Sequence, residues 1–272
     1  MQRRSDLLRR EGKRIGFVPT MGALHEGHLS LLRLAKKKSD VPVVSIFVNP
    51  TQFGPYEDFD RYPRDLEKDK RLLREERCEI LFFPPVEEMY PKGFKSYVHV
   101  EELTEGLCGR FRPGHFQGVT TVVTKLFNIV KPHLAVFGQK DAQQAIVIQR
   151  MVKDLDFDIE ILLAPTVREK DGLAMSSRNQ NLSKREREKA ALLYQSLERA
   201  REMIEGGEGK AKRVVVEMKK MISKNGIKNI DYVELVDPGN LKPVKTIRGR
   251  VLIALAVWVG KTRLIDNLLV NC

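Results

Sequence analysis

The sequence predicts an α/β chain: a doubly wound parallel sheet followed by a smaller C-terminal α+β domain. Three observations predict it. Short apolar runs alternate with amphipathic, helix-length stretches as far as residue 165, with glycine- or proline-containing turns between them. Residues 41–48 (VPVVSIFV) are almost unbroken in hydrophobicity, as in a central parallel strand covered on both faces. Beyond Pro165 the alternation stops, and two charged helical stretches give way to three neighbouring strand-like runs.

Taken in order, residues 5–12 read as the tail of a basic helix and 14–18 (RIGFV) as a short buried strand. The turn PTMGALHEGH at 19–28 follows, then an amphipathic helix from Leu29 to Lys38. The strand at 41–48 delivers a second loop, NPTQFG at 49–54. A charged helix is expected at 63–77, a strand at 79–83 closed by Pro84-Pro85, and a further short strand at 97–100. A basic loop, GRFRPGHF at 109–116, precedes a largely apolar helix at 117–131. The strand at 133–137 delivers GQKDAQQ at 138–144, a helix runs on to about Leu155, and 158–163 is the next strand. Residues 166–181 form a polar loop carrying MSSRN at 175–179. Charged helices at 184–201 and 210–220 flank a glycine break at 206–209, and strands at 231–236, 251–259 and 263–270 close the chain. The predicted organisation is a Rossmann-like domain over 1–168 and an α+β lid domain over 169–272.

Composition narrows the function classes. The 272 residues are 42% hydrophobic and 31% charged, a globular composition. The nine-residue run 251–259 is the longest apolar one and is too short to span a bilayer. The N-terminus (MQRRSDLLRR) has no apolar signal core, and Cys78, Cys108 and Cys272 are odd in number and scattered, so a cytoplasmic protein without disulfides is expected. The net charge of +12 comes from lysines and arginines interleaved with glutamates, the pattern of solvated helix faces. No aromatic-studded basic strand or recognition helix is present, so neither nucleic acid nor membrane is an expected partner.

The turn at 19–28 anchors the functional reading. It lies between a strand and a helix, where backbone N–H groups and the helix dipole receive phosphate. His25 and His28 are three apart and share a helix face, and Gly27 between them leaves room for a flat base. The H-x-G-H pattern therefore reads as a nucleotide site. A metal clamp or two surface histidines are the bland alternatives, although HExH is one residue short of the zinc helix HExxH. Gly260-Lys261-Thr262 mimics the end of a P-loop, but position 255 is Leu and a strand follows, which makes it a hairpin turn.

Four polar loops, 19–28, 49–54, 138–144 and 175–179, fall at or over one edge of the expected sheet. Their motifs PTMGALHEGH, FVNPTQF, FGQKDAQQ and DGLAMSSRN resemble those of the pantoate–β-alanine ligases, together with YPRD at 62–65, RPGHF at 112–116 and DYVE at 231–234. The resemblance runs through nearly the whole chain in order. One departure is visible: family members usually begin with a short strand and more helix before the position of Gln2, a difference that touches the N-terminal packing and not the site.

The resemblance implies a homodimeric, ATP-dependent ligase with magnesium on the triphosphate. Pantoate would first form pantoyl adenylate and pyrophosphate, and β-alanine would then displace AMP. It places His25, His28, Lys140, Ser176, Ser177 and Arg178 on the phosphates. Met21, Phe137, Gly138, Gln139, Asp141, Val167 and Met175 fall to the rest of the nucleotide, with Asp141 on a ribose hydroxyl. Pro19, Met21, Gln52 and Gln144 form the pantoate pocket, and Asn49, Tyr62 and Arg112 fall on the substrate or β-alanine side.

These residue types suit that chemistry, which needs charge stabilised on phosphate more than it needs a nucleophile. Lysine is a point charge, arginine a bidentate fork, and a neutral glutamine holds a carboxylate without blunting it. Singly, each has a plainer role: Lys140-Asp141 as a solvated helix start, Ser176-Ser177 as a cap, Arg112 and His115 as loop ties, His99 and His133 as structural residues. Another H-x-G-H nucleotidyltransferase and a non-catalytic nucleotide- or nucleic-acid-binding protein remain the competing classes.

Overall fold

The computed structural model describes residues 1–55 and 57–272. In chain order its elements are α1 (Gln2–Arg10), β1 (Ile15–Thr20), α2 (Glu26–Lys38), β2 (Val41–Ile46), α3 (Leu66–Glu75), β3 (Ile80–Phe82), α4 (Val86–Met89), α5 (Cys108–Phe111), α6 (His115–Val130), β4 (Leu134–Gly138) and α7 (Ala142–Asp154). There follow β5 (Glu160–Ala164), α8 (Lys184–Ala190), α9 (Leu192–Glu205), α10 (Ala211–Lys224), β6 (Asn229–Val236), β7 (Arg250–Val259) and β8 (Thr262–Asn271). One unit comprises residues 1–101, 112–139 and 144–165; the other comprises 102–111, 140–143 and 166–272.

The first unit holds a five-stranded, wholly parallel sheet in the order β3-β2-β1-β4-β5. Its strands are sandwiched because their side chains alternate. Ile15 and Phe17 of β1 share a core with Phe127 and Val130 of α6 and with Ile148 and Met151 of α7. Val18 points the other way, into a core with Leu31, Leu32 and Ala35 of α2 and Leu73 of α3. Each such fully buried aliphatic or aromatic side chain contributes about 1.5–3 kcal/mol. The strand order reverses between β1 and β4, the point at whose carboxyl edge sheets of this kind hold ligands. β1 and β2 pair in level register, from Ile15 opposite Val41 to Thr20 opposite Ile46, so the loops leaving them emerge side by side.

The strand expected at 97–100 is not formed. At Val98 the backbone is bonded by threonines of α6: the Val98 N–H donates to Thr121 Oγ1 at 3.0 Å, and its carbonyl accepts from Thr120 Oγ1 at 2.6 Å. Side-chain hydroxyls here take the place of a strand ladder.

The second unit holds the antiparallel sheet β6-β7-β8. Val251, Ile253, Leu255 and Val257 of β7 share a core with Leu193 and Leu197 of α9 and Val214 and Met218 of α10. The single helix expected at 184–201 is interrupted at Ala191, although its backbone stays helical (φ −59°, ψ −27°). Gly260, with φ +60°, turns β7 into β8, so the P-loop mimic is a hairpin. Among the described residues no helix is long and apolar enough to cross a membrane.

Candidate active site

The anchor turn is built from the end of β1. Thr20 Oγ1 donates to the Ser45 carbonyl at 2.7 Å and accepts from Gly22 N–H at 3.2 Å, tying the turn to β2. Gly22 (φ +80°) and Ala23 (φ +49°) then swing the chain out of the sheet through two left-handed residues. Asp69 of α3, 1% exposed, accepts from the N–H groups of Ala23 at 2.9 Å and Leu24 at 2.7 Å. Burial pushes its carboxyl above the ordinary value, and the two backbone bonds act against that rise.

His25 is the N-cap of α2. Its Nδ1 accepts from Gly27 N–H at 3.1 Å, while Nδ1 of His28 accepts from His25 N–H at 3.4 Å. The rings lie 4.1 Å apart at 40°. The spacing places both histidines on one face, as the sequence leads one to expect. It does not reveal that each ring caps the helix. An imidazole that accepts at Nδ1 carries its proton on Nε2, so each neutral ring is an Nε2–H donor at the positive end of α2.

The second loop is held by Asn49, a residue 1% exposed whose side-chain amide is engaged within the protein. Its Nδ2 donates to Gln52 Oε1 (3.1 Å) and to the Gly118 carbonyl (3.0 Å), and its Oδ1 accepts from Tyr90 Oη (2.8 Å) and Thr51 Oγ1 (2.9 Å). Gln52 Nε2 in turn donates to Met21 Sδ at 3.1 Å, joining this loop to the anchor turn. His115 Nδ1 lies 2.9 Å from the Gln52 carbonyl oxygen. Arg112 donates to both oxygens of Glu57 (2.8 and 2.5 Å), and its Nη1 lies 3.1 Å from His115 Nε2. Tyr62 is buried, its ring 5.8 Å from that of Phe53. Pro19, at the end of β1, is half-buried.

In the second unit, Lys140 Nζ lies 3.7 Å from Asp141 Oδ1, and the Lys140 carbonyl accepts from Asn267 Nδ2 at 2.8 Å. Beside Asn267, Asp266 receives both nitrogens of the Arg168 fork at 2.7 and 3.0 Å, and that guanidinium stacks 3.9 Å above the Tyr194 ring. Burial outweighs Arg168 at Asp266 and raises its carboxyl above the ordinary value. Arg168 and Ala174 pair across a tight return, so Met175 N–H donates to the Val167 carbonyl at 2.9 Å. Ser176 caps the short turn Ser177–Asn181, its Oγ accepting from Arg178 N–H at 3.3 Å.

The adjacent glutamines at the start of α7 separate cleanly. Gln143 is spent on the 102–111 segment, donating to Leu103 and Gly106 carbonyls and accepting from Cys108 N–H, each at 2.9 Å. Gln144, in the first unit, is half-buried on the first turn. Gly138 and Gln139 also belong to the first unit, and the Phe137 ring sits in its core against Phe127. The structure thus brings Met21, Asn49 and Gln52 together in one unit, and Lys140 with Asp141, and Val167 with Met175, in the other. Asp69, Gly118, Glu57 and Asn267 escape sequence reasoning. Asp69 stands in DLEKDK, which reads as a solvated helix face. Among the described residues no three His, Cys, Asp or Glu side chains are grouped to hold a metal.

A family model for pantoate-beta-alanine ligase matches residues 1–269. A pantothenate synthetase of Caldicellulosiruptor bescii is 58% identical over 264 residues, spanning 97% of this chain and 94% of the relative. One from Thermotoga petrophila is 58% identical over 267 residues, 98% and 95% of the two chains. Among solved structures, pantothenate synthetase from Thermus thermophilus superposes with a TM-score of 0.92 at 46% identity, over 97% of this chain and 96% of that one. Pantoate-beta-alanine ligase from Francisella tularensis, complexed with beta-gamma ATP and beta-alanine, superposes at 0.81 with 36% identity, over 98% and 95%.

Proposed function

Given that the chain belongs to the pantoate-beta-alanine ligase family, we propose how its residues condense pantoate with β-alanine at the expense of ATP. A pantoate carboxylate oxygen attacks the α-phosphorus, the bond to pyrophosphate breaks, and pantoyl adenylate forms. The β-alanine nitrogen then attacks the acyl carbon, AMP leaves with the oxygen, and the amine gives up its proton. Both steps build negative charge on phosphate oxygens, so preorganised donors carry the rate.

The observation that carries this assignment is the mutual capping of His25 and His28, which fixes two Nε2–H donors at the N-terminus of α2. Lys140, Ser176, Ser177 and Arg178 supply further donors to the phosphates, and Asp141 accepts from a ribose hydroxyl. Backbone at Phe137, Gly138, Gln139, Val167 and Met175 lines the base. Gln52 and Gln144 orient pantoate within walls from Pro19 and Met21, and Asn49 serves by holding the Gln52 amide. Arg112 and Tyr62 fall on the β-alanine side; the bidentate grip of Arg112 on Glu57 supports a fork suited to a carboxylate.

Magnesium belongs to this reading as part of the ATP substrate, carried by its phosphate oxygens. The family resemblance supports a homodimer, testable as a solution mass near twice 31.2 kDa. Three cysteines, all unpaired as disulfides, support a reducing, cytoplasmic setting.

The deciding experiment measures pyrophosphate with ATP, magnesium and pantoate. One equivalent per enzyme without β-alanine, becoming catalytic and yielding AMP when it is added, is expected. Pyrophosphate release independent of pantoate would overturn the adenylate route.

A further inference from the structure

The geometry points to Asp69 as a positioning residue for the phosphate step, acting through His25 and His28. Asp69 stands outside the motifs of the four polar loops. Its two carboxylate oxygens take one backbone N–H each from Ala23 and Leu24, the pair of residues directly before the histidine cap. Consecutive N–H groups in a left-handed turn form a concavity that holds an anion, and here a buried side chain of the same protein fills it.

The turn needs such a holder. Ala23 at φ +49° is a non-glycine residue in a conformation that L side chains disfavour, and it persists only where its surroundings over-determine it. Gly22 leaves the space the carboxylate uses: a Cβ there would stand 3.0 Å from Asp69 Oδ2. With Leu24 anchored, the N-cap position of His25 is set, and the His25 amide is in turn the donor to His28. A shift of the turn therefore displaces both rings at once. Displacements of about 1 Å in a preorganised donor cost on the order of a hundredfold in rate.

This proposal rests on the reading that the two histidines serve the phosphates, and the test separates the two. Asp69→Asn keeps one acceptor oxygen and turns an amide donor toward the other backbone N–H. Its pantoate-dependent pyrophosphate release at saturating substrates should fall about tenfold to a hundredfold. Leu73→Val, a core change on the same helix with no bond to the turn, should retain the parent rate when both variants are assayed below their melting transitions. In a His28→Asn background, adding Asp69→Asn should cost clearly less than it does in the parent chain, because one of the two rings it positions is gone.

A normal rate in Asp69→Asn, an equal loss in Leu73→Val, or a full additional loss in the double variant would each overturn the role of Asp69. A normal rate in His28→Asn alone would instead sink the histidine reading, and the positioning role with it.

Discussion

Gly118 and Gln52 meet backbone to backbone: a Cβ on the glycine would stand 2.6 Å from the glutamine amide nitrogen and overlap the Thr51 carbonyl oxygen. The first full turn of α6 can therefore press against the 49–54 loop, with Asn49 bridging to the Gly118 carbonyl. Gly118→Ala should force that loop away. We expect a stability loss of about 1–3 kcal/mol by denaturant unfolding, and a pantoate KM raised on the order of tenfold with the ATP KM unmoved. An unchanged pantoate KM would free Gln52 from this dependence.

Gln52→Glu tests the pantoate assignment directly. A carboxylate in place of the amide repels the pantoate carboxylate; it leaves Asn49 Nδ2 its acceptor and gives up only the weak bond to the Met21 thioether. Pantoate binding should disappear by calorimetry while nucleotide binding persists. Retained pantoate affinity would remove Gln52 from the pocket.

Lys140→Ala should lower turnover by on the order of 10²–10³, the usual cost of a charge-stabilising donor. Asn267 grips the Lys140 backbone and not its side chain, so the truncated variant keeps its local fold. Normal turnover in folded protein would exclude this lysine from the chemistry.

The sheet edge and the shared face of His25 and His28 are legible because alternation and motif spacing encode them, whereas the glutamines enter only through the family resemblance. The supports are not legible, since each looks ordinary in sequence. Asp69 has the same neighbours as a surface acid, and Gly118 sits in an apolar helix where Ala would read equally well. The threonine bonds that replace a strand at 97–100 depend on α6, twenty or more residues away. Local pattern carries the face of an element; it does not carry which backbone will approach it.

His133 provides a pH dependence. Its Nδ1 accepts from Ile15 N–H at 2.9 Å, linking β4 to β1. Burial, then Arg9 and Arg14, hold its pKa below the ordinary 6.5. The folded chain thus binds this proton less readily than the unfolded one, so the contribution is complete above pH 6.5 and is lost as pH falls below it toward the folded value. Melting temperatures measured from pH 7.5 to 5 should decline, and the decline should be shallower in His133→Asn. Parallel profiles would assign the loss to other groups.

Asp266 lies under the Arg168 fork with 1% of its side chain exposed. Asp266→Ala strands a mostly buried guanidinium, which typically costs about 3–5 kcal/mol. Chemical unfolding should show that loss, and Asp266→Asn a smaller one. A neutral Asp266→Ala would mean that Arg168 finds water.

The chain crosses between its two units at 101/102, 111/112, 139/140, 143/144 and 165/166. A cut at the last junction would strip the C-terminal piece of Cys108, whose sulfur faces Tyr232 at 3.1 Å, and of Gln143, which pins the segment carrying it. Neither unit is therefore a cassette. Shuffling by a single genetic junction is closed to this architecture, and a ribosome must release the final strands before the segment at 102–111 has its partners. New substrates can reach such a protein through changes in its loops, not through exchange of its halves.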